Sequence, residues 1–462
     1  MSQSPHRLAE ESVGRLLLGF SLPAIAAMLV TSLYTVIDRA FLGNAVSADA
    51  IGGLTVCQPI AFIILAFGML VGMGSGALVS IRLGQQRRAD AEVILGNAVM
   101  LIIIGSTVLT AVFLIALRPL LEVFGATPGT LPHALEFMRI ILVGSFFQYT
   151  SFGLNAIIRA EGSPRLAMLT QLINAGLNIA LDAVLVLWLD YGVTGAAVAT
   201  VISQAVSAVW TLAHFRSKRS VLTLRFVNLR LRWDVVRSAL AIGMAPCVMQ
   251  LCGSVAVVFL NRGLARLGGD TAINAYGVIG ALAMLILMPI FGINQGAQPI
   301  IGYNYGAGRM DRVRHALRLT ILAATTLLCV DFVVVQLVSD QLVRFFSSDA
   351  DLVTLGSRGI RILSLSMPIV GLQLIGVSFF LAIGKARKAL VLGLLRQVII
   401  LIPLVIVLPR LLGLDGLWIA GPVADVLATL LTGVALAYEL RALRNKHEPD
   451  SSVSLPAVVP ST

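Results

Sequence analysis

Charge is scarce in this chain. Of its 462 residues, 12% are Asp, Glu, Lys or Arg and 58% are hydrophobic. A soluble domain carries about 25% charged and about 45–50% apolar residues. The composition therefore excludes a soluble protein and predicts an integral membrane one. Cysteine is scarce too: Cys57, Cys247, Cys252 and Cys329 all lie in apolar runs. That excludes a disulfide framework or a cysteine-held metal and predicts packing residues. The five histidines are scattered, and no P-loop, HExxH or GxSxG pattern occurs, so an intramembrane enzyme lacks recognisable machinery and no cofactor is indicated. No small-residue cleavage site follows the first apolar run, which reads as a retained span. In a soluble protein a net charge of +11 would suggest nucleic acid. Here the basic residues fall between apolar runs, so they read as topology signals of a chain embedded in the lipid bilayer, with no nucleic acid as partner.

What is present is apolar length. A helix needs about 20 apolar residues to cross the hydrocarbon core. That rule predicts twelve spans, at roughly 16–38, 53–80, 94–117, 134–158, 166–189, 193–213, 236–261, 272–302, 317–338, 354–382, 390–411 and 416–438. The runs are too long and too uniformly apolar for barrel strands. Even-numbered connections hold most of the basic residues, including Arg82, Arg87, Arg88, Arg216, Lys218, Arg219, Arg309, Arg312, Lys385, Arg387, Lys388 and Arg396. The positive-inside rule then places both termini in the cytoplasm.

The halves resemble each other. Pro23 matches Pro246; Gly72, Gly76 and Ala77 match Gly292, Gly296 and Ala297; "RAEGSPR" (159–165) matches "LAIGKAR" (381–387); "YGVTGAAVAT" (191–200) matches "LGLDGLWIAG" (412–421). An even number of spans per repeat gives both halves one orientation, with a pseudo-two-fold axis along the membrane normal. The fold class is an all-α integral membrane protein, twelve transmembrane helices in two pseudo-symmetric six-helix lobes. Residues 1–213 read as the N-lobe, 214–235 as a cytoplasmic linker, 236–440 as the C-lobe and 441–462 as a disordered tail.

Few polar residues enter these spans. "LINAGLNIALDAVLVLW" sets Asn174, Asn178 and Asp182 four residues apart, on one helical face. Asp182 lies well inside an apolar run, where a carboxylate reads as functional unless it is paired. Asp38 ends the first span beside Arg39, one turn after Tyr34; by itself it reads equally as an interfacial residue. Asn155 and Thr200 add neutral oxygens. Two aspartates sharing a low-dielectric site cannot both stay ionised without a cation, so a proton or a sodium ion could serve there. Pro23 interrupts the hydrogen bonding of the first span and predicts a kink that is either static or a hinge. The seventh and tenth spans hold no acid, whereas Asp331 and Asp425 stand in the ninth and twelfth, as secondary ion groups or as hydrogen-bond partners of neighbouring helices. Asn294, Gln295 and Gln298 are cavity candidates beside Pro299, and Met28, Met168, Met244, Met284 and Met288 offer adaptable apolar wall.

The stretches "LPAIAAMLVTSLYTVIDRAFLG" (22–43), "IIRAEGSPRLAMLTQLINAGLNIALDAVLV" (157–186) and "GINQGAQPIIGYNYGAGRMDRV" (292–313) carry a resemblance. In order and spacing the chain resembles the multidrug and toxic compound extrusion (MATE) transporters, in the bacterial branch allied to DNA-damage-inducible-type and staphylococcal-type exporters. The resemblance implies export of lipophilic, often cationic compounds against a proton or sodium gradient, by a protein of the bacterial plasma membrane acting as a monomer. It also implies that Asp38, Asn178, Asp182 and Thr200 form the cation-coupling set, with Tyr34 and Asn155 at neighbouring polar positions of the cavity; Asn174, Asn294 and Gln298 are cavity candidates, and Pro23 a candidate hinge, from the residues themselves. A major-facilitator transporter shares the repeat, but "IRLGQQRRAD" (81–90) lacks that family's Asp-Arg pair. A lipid-precursor flippase would carry a more cationic cavity.

Overall fold

The computed structural model describes residues 6–45, 48–124, 126–346 and 349–445, with the side chains of 6–7, 34–45, 48–53, 55, 254, 258, 265, 270 and 444–445 outside the description. The tail beyond 445 also lies outside the described residues. In hydrocarbon no water satisfies backbone N–H and C=O groups, so apolar runs close their hydrogen bonds as helices. The helices are α1 (Val13–Ala45), α2 (Ala48–Gly84), α3 (Arg88–Val123), α4 (Thr130–Ala160), α5 (Pro164–Trp188), α6 (Gly192–Arg216), α7 (Trp233–Leu264) and α8 (Thr271–Gly306). After them come α9 (Met310–Arg344), α10 (Ala350–Ser364 with Met367–Ala382), α11 (Ala386–Leu412) and α12 (Leu414–Asn445). Among the described residues eleven are long and apolar enough to cross a membrane by themselves, and the bent α10, counted as one span, makes twelve, so each predicted span meets a helix. A short helix, His6–Glu10, precedes them.

Both faces of these helices are apolar because both have apolar surroundings. On α1, Leu16, Leu17, Phe20, Ala24 and Ala27 are buried in protein, while Leu18, Leu22, Leu29 and Leu33 are exposed along the opposite stripe. Inside the bundle small residues set the approach, as expected where lipid removes the hydrophobic drive between helices.

The repeat is visible in the backbone. Gly162 (φ 101°) pairs with Gly384 (φ 76°), and Gly192 (φ 49°) with Gly413 (φ 58°); each occupies the left-handed region between two spans. Gln86 (φ 62°) and Gly308 (φ 73°) form a third such pair, at the α2–α3 and α8–α9 turns. Between α7 and α8 the chain reverses at Gly269 (φ 60°, ψ −156°), a conformation open to glycine alone.

The two six-helix groups meet about that symmetry. A Cβ on Gly84 would lie 2.0 Å from Tyr303 O, and one on Gly306 2.1 Å from Ile81 O, so α2 and α8 cross reciprocally. Gly74 and Gly243 bring α2 against α7, within 2.1 Å of Ala239 O and 1.7 Å of Leu70 O by the same measure. Gly292 and Gly296 bring α8 against Ile25 and Ser21 of α1. All these approaches lie in the half of the bundle that carries the ends of α2 and α8 and the start of α1. On this side the groups are closed. The N-terminal segment reinforces the closure: Arg312 donates to Leu8 O at 3.2 Å and to Glu11 O at 2.6 Å, crossing from α9 to the chain before α1.

The segment between α6 and α7 is fastened to the first group. Glu161, at the end of α4 and fully buried, accepts from Ser220 Oγ (2.7 Å) and Leu222 N (3.3 Å) and is bonded to His214 Nε2. Glu92 on α3 accepts from Thr223 N at 3.4 Å and pairs with Arg225 at 3.4 Å. Asn97 accepts from Arg232 N at 2.7 Å and donates to Arg230 O at 3.3 Å.

Three local features depart from the expected spans. Helix α10 bends by 56° at Leu365–Ser366. The ring of Pro368 takes the place where Ser364 C=O would find its donor, which breaks the helix there. Helices α5 and α11, which are repeat partners, widen into π-helical turns over Ala183–Trp188 and Leu395–Leu401. Finally, Arg396, grouped above with the connection basics although the eleventh predicted span (390–411) covers it, lies ten residues inside α11. Its charge is tolerated there because Asp425 of α12 accepts its Nε–H at 2.5 Å.

Candidate functional site

Helix α5 builds the site. Pro164 at its first turn fixes the start, and the regular α-helix runs to Asp182 before the backbone widens. Over that regular stretch the four-residue spacing puts Asn174, Asn178 and Asp182 in a row. Asn178 is 2% and Asp182 1% exposed, so both are inside protein, not lipid. Helix α6 runs back alongside and brings Thr200 to the row: Asn178 Nδ2 donates to Thr200 Oγ1 at 3.4 Å. Among the described residues neither Asn178 Oδ1 nor Asn174 Oδ1 meets a hydrogen-bond donor. Oxygen acceptors are thus concentrated on one strip beside Asp182, the donor type that a hard cation or a proton takes. The side chains of Tyr34 and Asp38 lie outside the described residues; the helix that carries them, α1, packs along α5.

Asn155 sits one helix away in a different role. Its Nδ2 donates to Ala167 O at 2.9 Å, tying α4 to α5, and its Oδ1 accepts from Arg159. Arg159, Asn155, Met28, Met168, Gln171 and Gln295 line a cavity of ≈ 10 Å³ between α1, α4, α5 and α8. That is room for about one water. Gln295 donates to Met28 Sδ at 3.5 Å across the two groups. Asn294 donates to Ser378 Oγ at 2.7 Å, joining α8 to α10, and Gln298 is half-buried. Met244 and Met284 are exposed. Pro23 lies within a continuous α1. A wider crevice of ≈ 210 Å³, with Arg82, Arg87, Asp90, Arg232 and Asp234 in its wall, opens at the closed end, far along the helices from Asp182.

Sequence reasoning passes over three arrangements. Arg159 reads as one of the connection basics, yet it is the last-turn residue of α4 that reaches back to Asn155. Glu161 shows no partner by spacing, because His214 and Ser220 come from α6 and the segment after it. Asp425 takes Arg396 from α11 and Ser366 from the α10 bend, so it is held by neighbouring helices, one of the two readings open to it.

The MatE family model matches residues 23–184 and 243–407, one match in each half. The multidrug export protein MepA of Staphylococcus haemolyticus (strain JCSC1435) is 24% identical over 432 residues, covering 94% of this chain and 95% of its own. MepA of Staphylococcus aureus (strain MRSA252) is 24% identical over 433 residues, covering 93% and 94%. Among solved structures, the MATE multidrug transporter DinF-BH is 36% identical, with a TM-score of 0.89 over 96% of this chain and 99% of that one. An outward-facing multidrug resistance MATE family transporter shares the fold at a TM-score of 0.90 and 22% identity, over 95% and 98%. With the family model matched in both halves and a 36%-identical structure spanning nearly its whole length, this chain belongs to the MATE family of multi-pass membrane transporters and not to a family of enzymes.

Proposed function

We propose that this protein exports lipophilic, often cationic compounds by alternating access, using a proton gradient felt at Asp38 and Asp182 in the first lobe. Asn178 and Thr200 complete that set, with Tyr34, Asn155, Asn174, Asn294 and Gln298 contributing to the cargo chamber and Pro23 to the bending of α1. The moving bodies are residues 1–213 and 236–440, linked by 214–235, in a bacterial plasma membrane with both termini cytoplasmic. One copy suffices for transport. The observation that carries the reading is the strip on α5: a carboxylate 1% exposed, four residues from an amide that touches the Thr200 hydroxyl, with amide oxygens to spare. Buried charge of that kind is expensive in a membrane unless an ion comes and goes. Sodium is the second reading, since the same oxygens suit a hard cation. Similarity to the multidrug export protein MepA and to the multidrug transporter DinF-BH supports this substrate class.

The test is direct. Protein in vesicles is given a proton gradient or a sodium gradient separately, and uptake of a fluorescent lipophilic cation is followed. Asp38→Asn and Asp182→Asn should abolish the gradient-driven component. Full gradient-driven uptake by both variants rejects the site, and uptake driven by sodium alone replaces the proton.

A further inference from the structure

The second lobe has no acid on α7 or α10 at membrane depth, yet it holds a complete ion pair at mid-depth. Arg396 follows Arg387 by nine residues, as Asn174 follows Arg165, so the guanidinium occupies the repeat position of the first asparagine in the α5 row. Its Nε donates to Asp425 Oδ1 at 2.5 Å, and Ser366 Oγ, at the α10 bend, donates to Asp425 Oδ2 at 2.7 Å. Arg396 is ten residues into α11 and Asp425 eleven into α12, each roughly 15 Å from its helix end.

From that pair a polar strip runs toward the closed face. On α12, Asp425, Thr429, Thr432 and Glu439 recur at intervals of four, three and seven, which is one side of a helix, and all four are buried. On α10, Gln373 stands seven residues after Ser366, and Gly376 lies against Thr432, where a Cβ would come within 2.5 Å of Thr432 Cγ2. Gln373 therefore lies between two points at which α10 touches α12. Gln373 Oε1, Thr429 Oγ1 and Thr432 Oγ1 meet no hydrogen-bond partner among the described residues, though Gln373 and Thr432 are 2% and 0% exposed. At the far end Glu439 is bonded to Lys385 and, at 2.6 Å, to Lys388, both partly exposed.

Buried hydroxyl and amide groups are costly without partners, and a buried water is stable with two to four polar neighbours. We propose that α10 and α12 enclose a hydrated seam that brings water from the Glu439 mouth to the Arg396–Asp425 pair at mid-membrane. The second lobe thereby has a charged centre in contact with solvent from one face only. This stands apart from the coupling set on α1, α5 and α6.

Silver ion is a probe close to water in size and reacts with thiols. With Cys57, Cys247, Cys252 and Cys329 replaced by serine, single variants Thr429→Cys and Thr432→Cys are treated with silver, in vesicles of both orientations, and scored by loss of later maleimide labelling in denaturant. Lipid-facing Leu430→Cys and Val434→Cys are the controls. Thr432→Cys should react at least tenfold faster than the controls, from the Glu439 face, and adding Gln373→Leu should slow it. Radiolytic hydroxyl labelling of the unaltered protein gives a second reading, independent of any cysteine: Leu436, on the same buried strip, should be oxidised well above Leu430. Control-level reaction at both thiols together with control-level oxidation of Leu436 overturns the seam. Reaction only from the opposite face overturns its direction and with it the proposal.

Discussion

Gly243 provides the sharpest perturbation of the closed face. A Cβ added there would lie 1.7 Å from Leu70 O and 2.9 Å from Leu70 Cα, all backbone of α2, so no side chain can turn aside. Cβ contacts shorter than 3.0 Å essentially never occur, so α7 and α2 must part by about 1.3 Å in Gly243→Ala. Overpacking of this kind costs about 1–3 kcal/mol. If the lobes keep their internal packing and only the crossing opens, that energy weighs on the closed arrangement alone. A tenfold population change corresponds to about 1.4 kcal/mol, so the closed-to-open ratio should fall roughly 5- to 150-fold. Spin labels at Ala89 and Arg237, both exposed near the closed face, report the change by pulsed dipolar spectroscopy. The variant should gain a population at longer distance and lose transport rate. Gly176→Ala and Gly277→Ala, with nothing within 4 Å of the added carbon, should leave the distances as they are. An unchanged distance distribution in Gly243→Ala, with the protein folded and monodisperse, refutes the reasoning.

Other outcomes follow from the same geometry. Pro23→Ala restores an N–H inside α1; it should keep the fold and lose gradient coupling, and unaltered export rules out the hinge. Thr200→Val removes the hydroxyl that meets Asn178 at 3.4 Å and should raise the half-saturating concentration of the driving ion about tenfold, as for the loss of one hydrogen bond to a charged group; a titration with no shift excludes Thr200 from the set. Glu161→Gln weakens one contact to His214 at the end of α6 and two to the segment after it, and should cost about 1–3 kcal/mol. That would appear as a lower Tm and faster tryptic cleavage at Lys218 and Arg219, and unchanged digestion would show that Glu161 does not hold the strap. Glu439→Gln leaves Lys385 and Lys388 without their shared carboxylate and should lower Tm by a similar amount; an equal Tm would mean that solvent already screens the pair.

The span pattern was legible because hydropathy is a one-dimensional property: a run from Leu16 to Ala27 is apolar whatever it packs against. The repeat was legible for a related reason, since Gly162, Gly192, Gly384 and Gly413 are required by backbone conformation. The α5 row was legible from spacing, and its juxtaposition with Thr200 came from family likeness. What stayed hidden depends on partners distant in sequence. Arg396 looks like a connection residue until Asp425 comes beside it, and Glu161 looks idle until Ser220 and Leu222 fold over it. The widened turn after Asp182 is no more readable, because nothing in "AVLVLW" (183–188) departs from ordinary helix composition.

The stitched passage between the lobes has a mechanical consequence. From Ser220 to Arg232 its amides and side chains are knotted to α3 and α4, so it is cargo of the first body and supplies no slack. If the lobes rock as proposed, a swing of the second body is taken up at the joint where Arg232 hands over to Trp233. A stiffening substitution at that joint would slow the rocking, while extra residues spliced in at 217–219 would pass unnoticed.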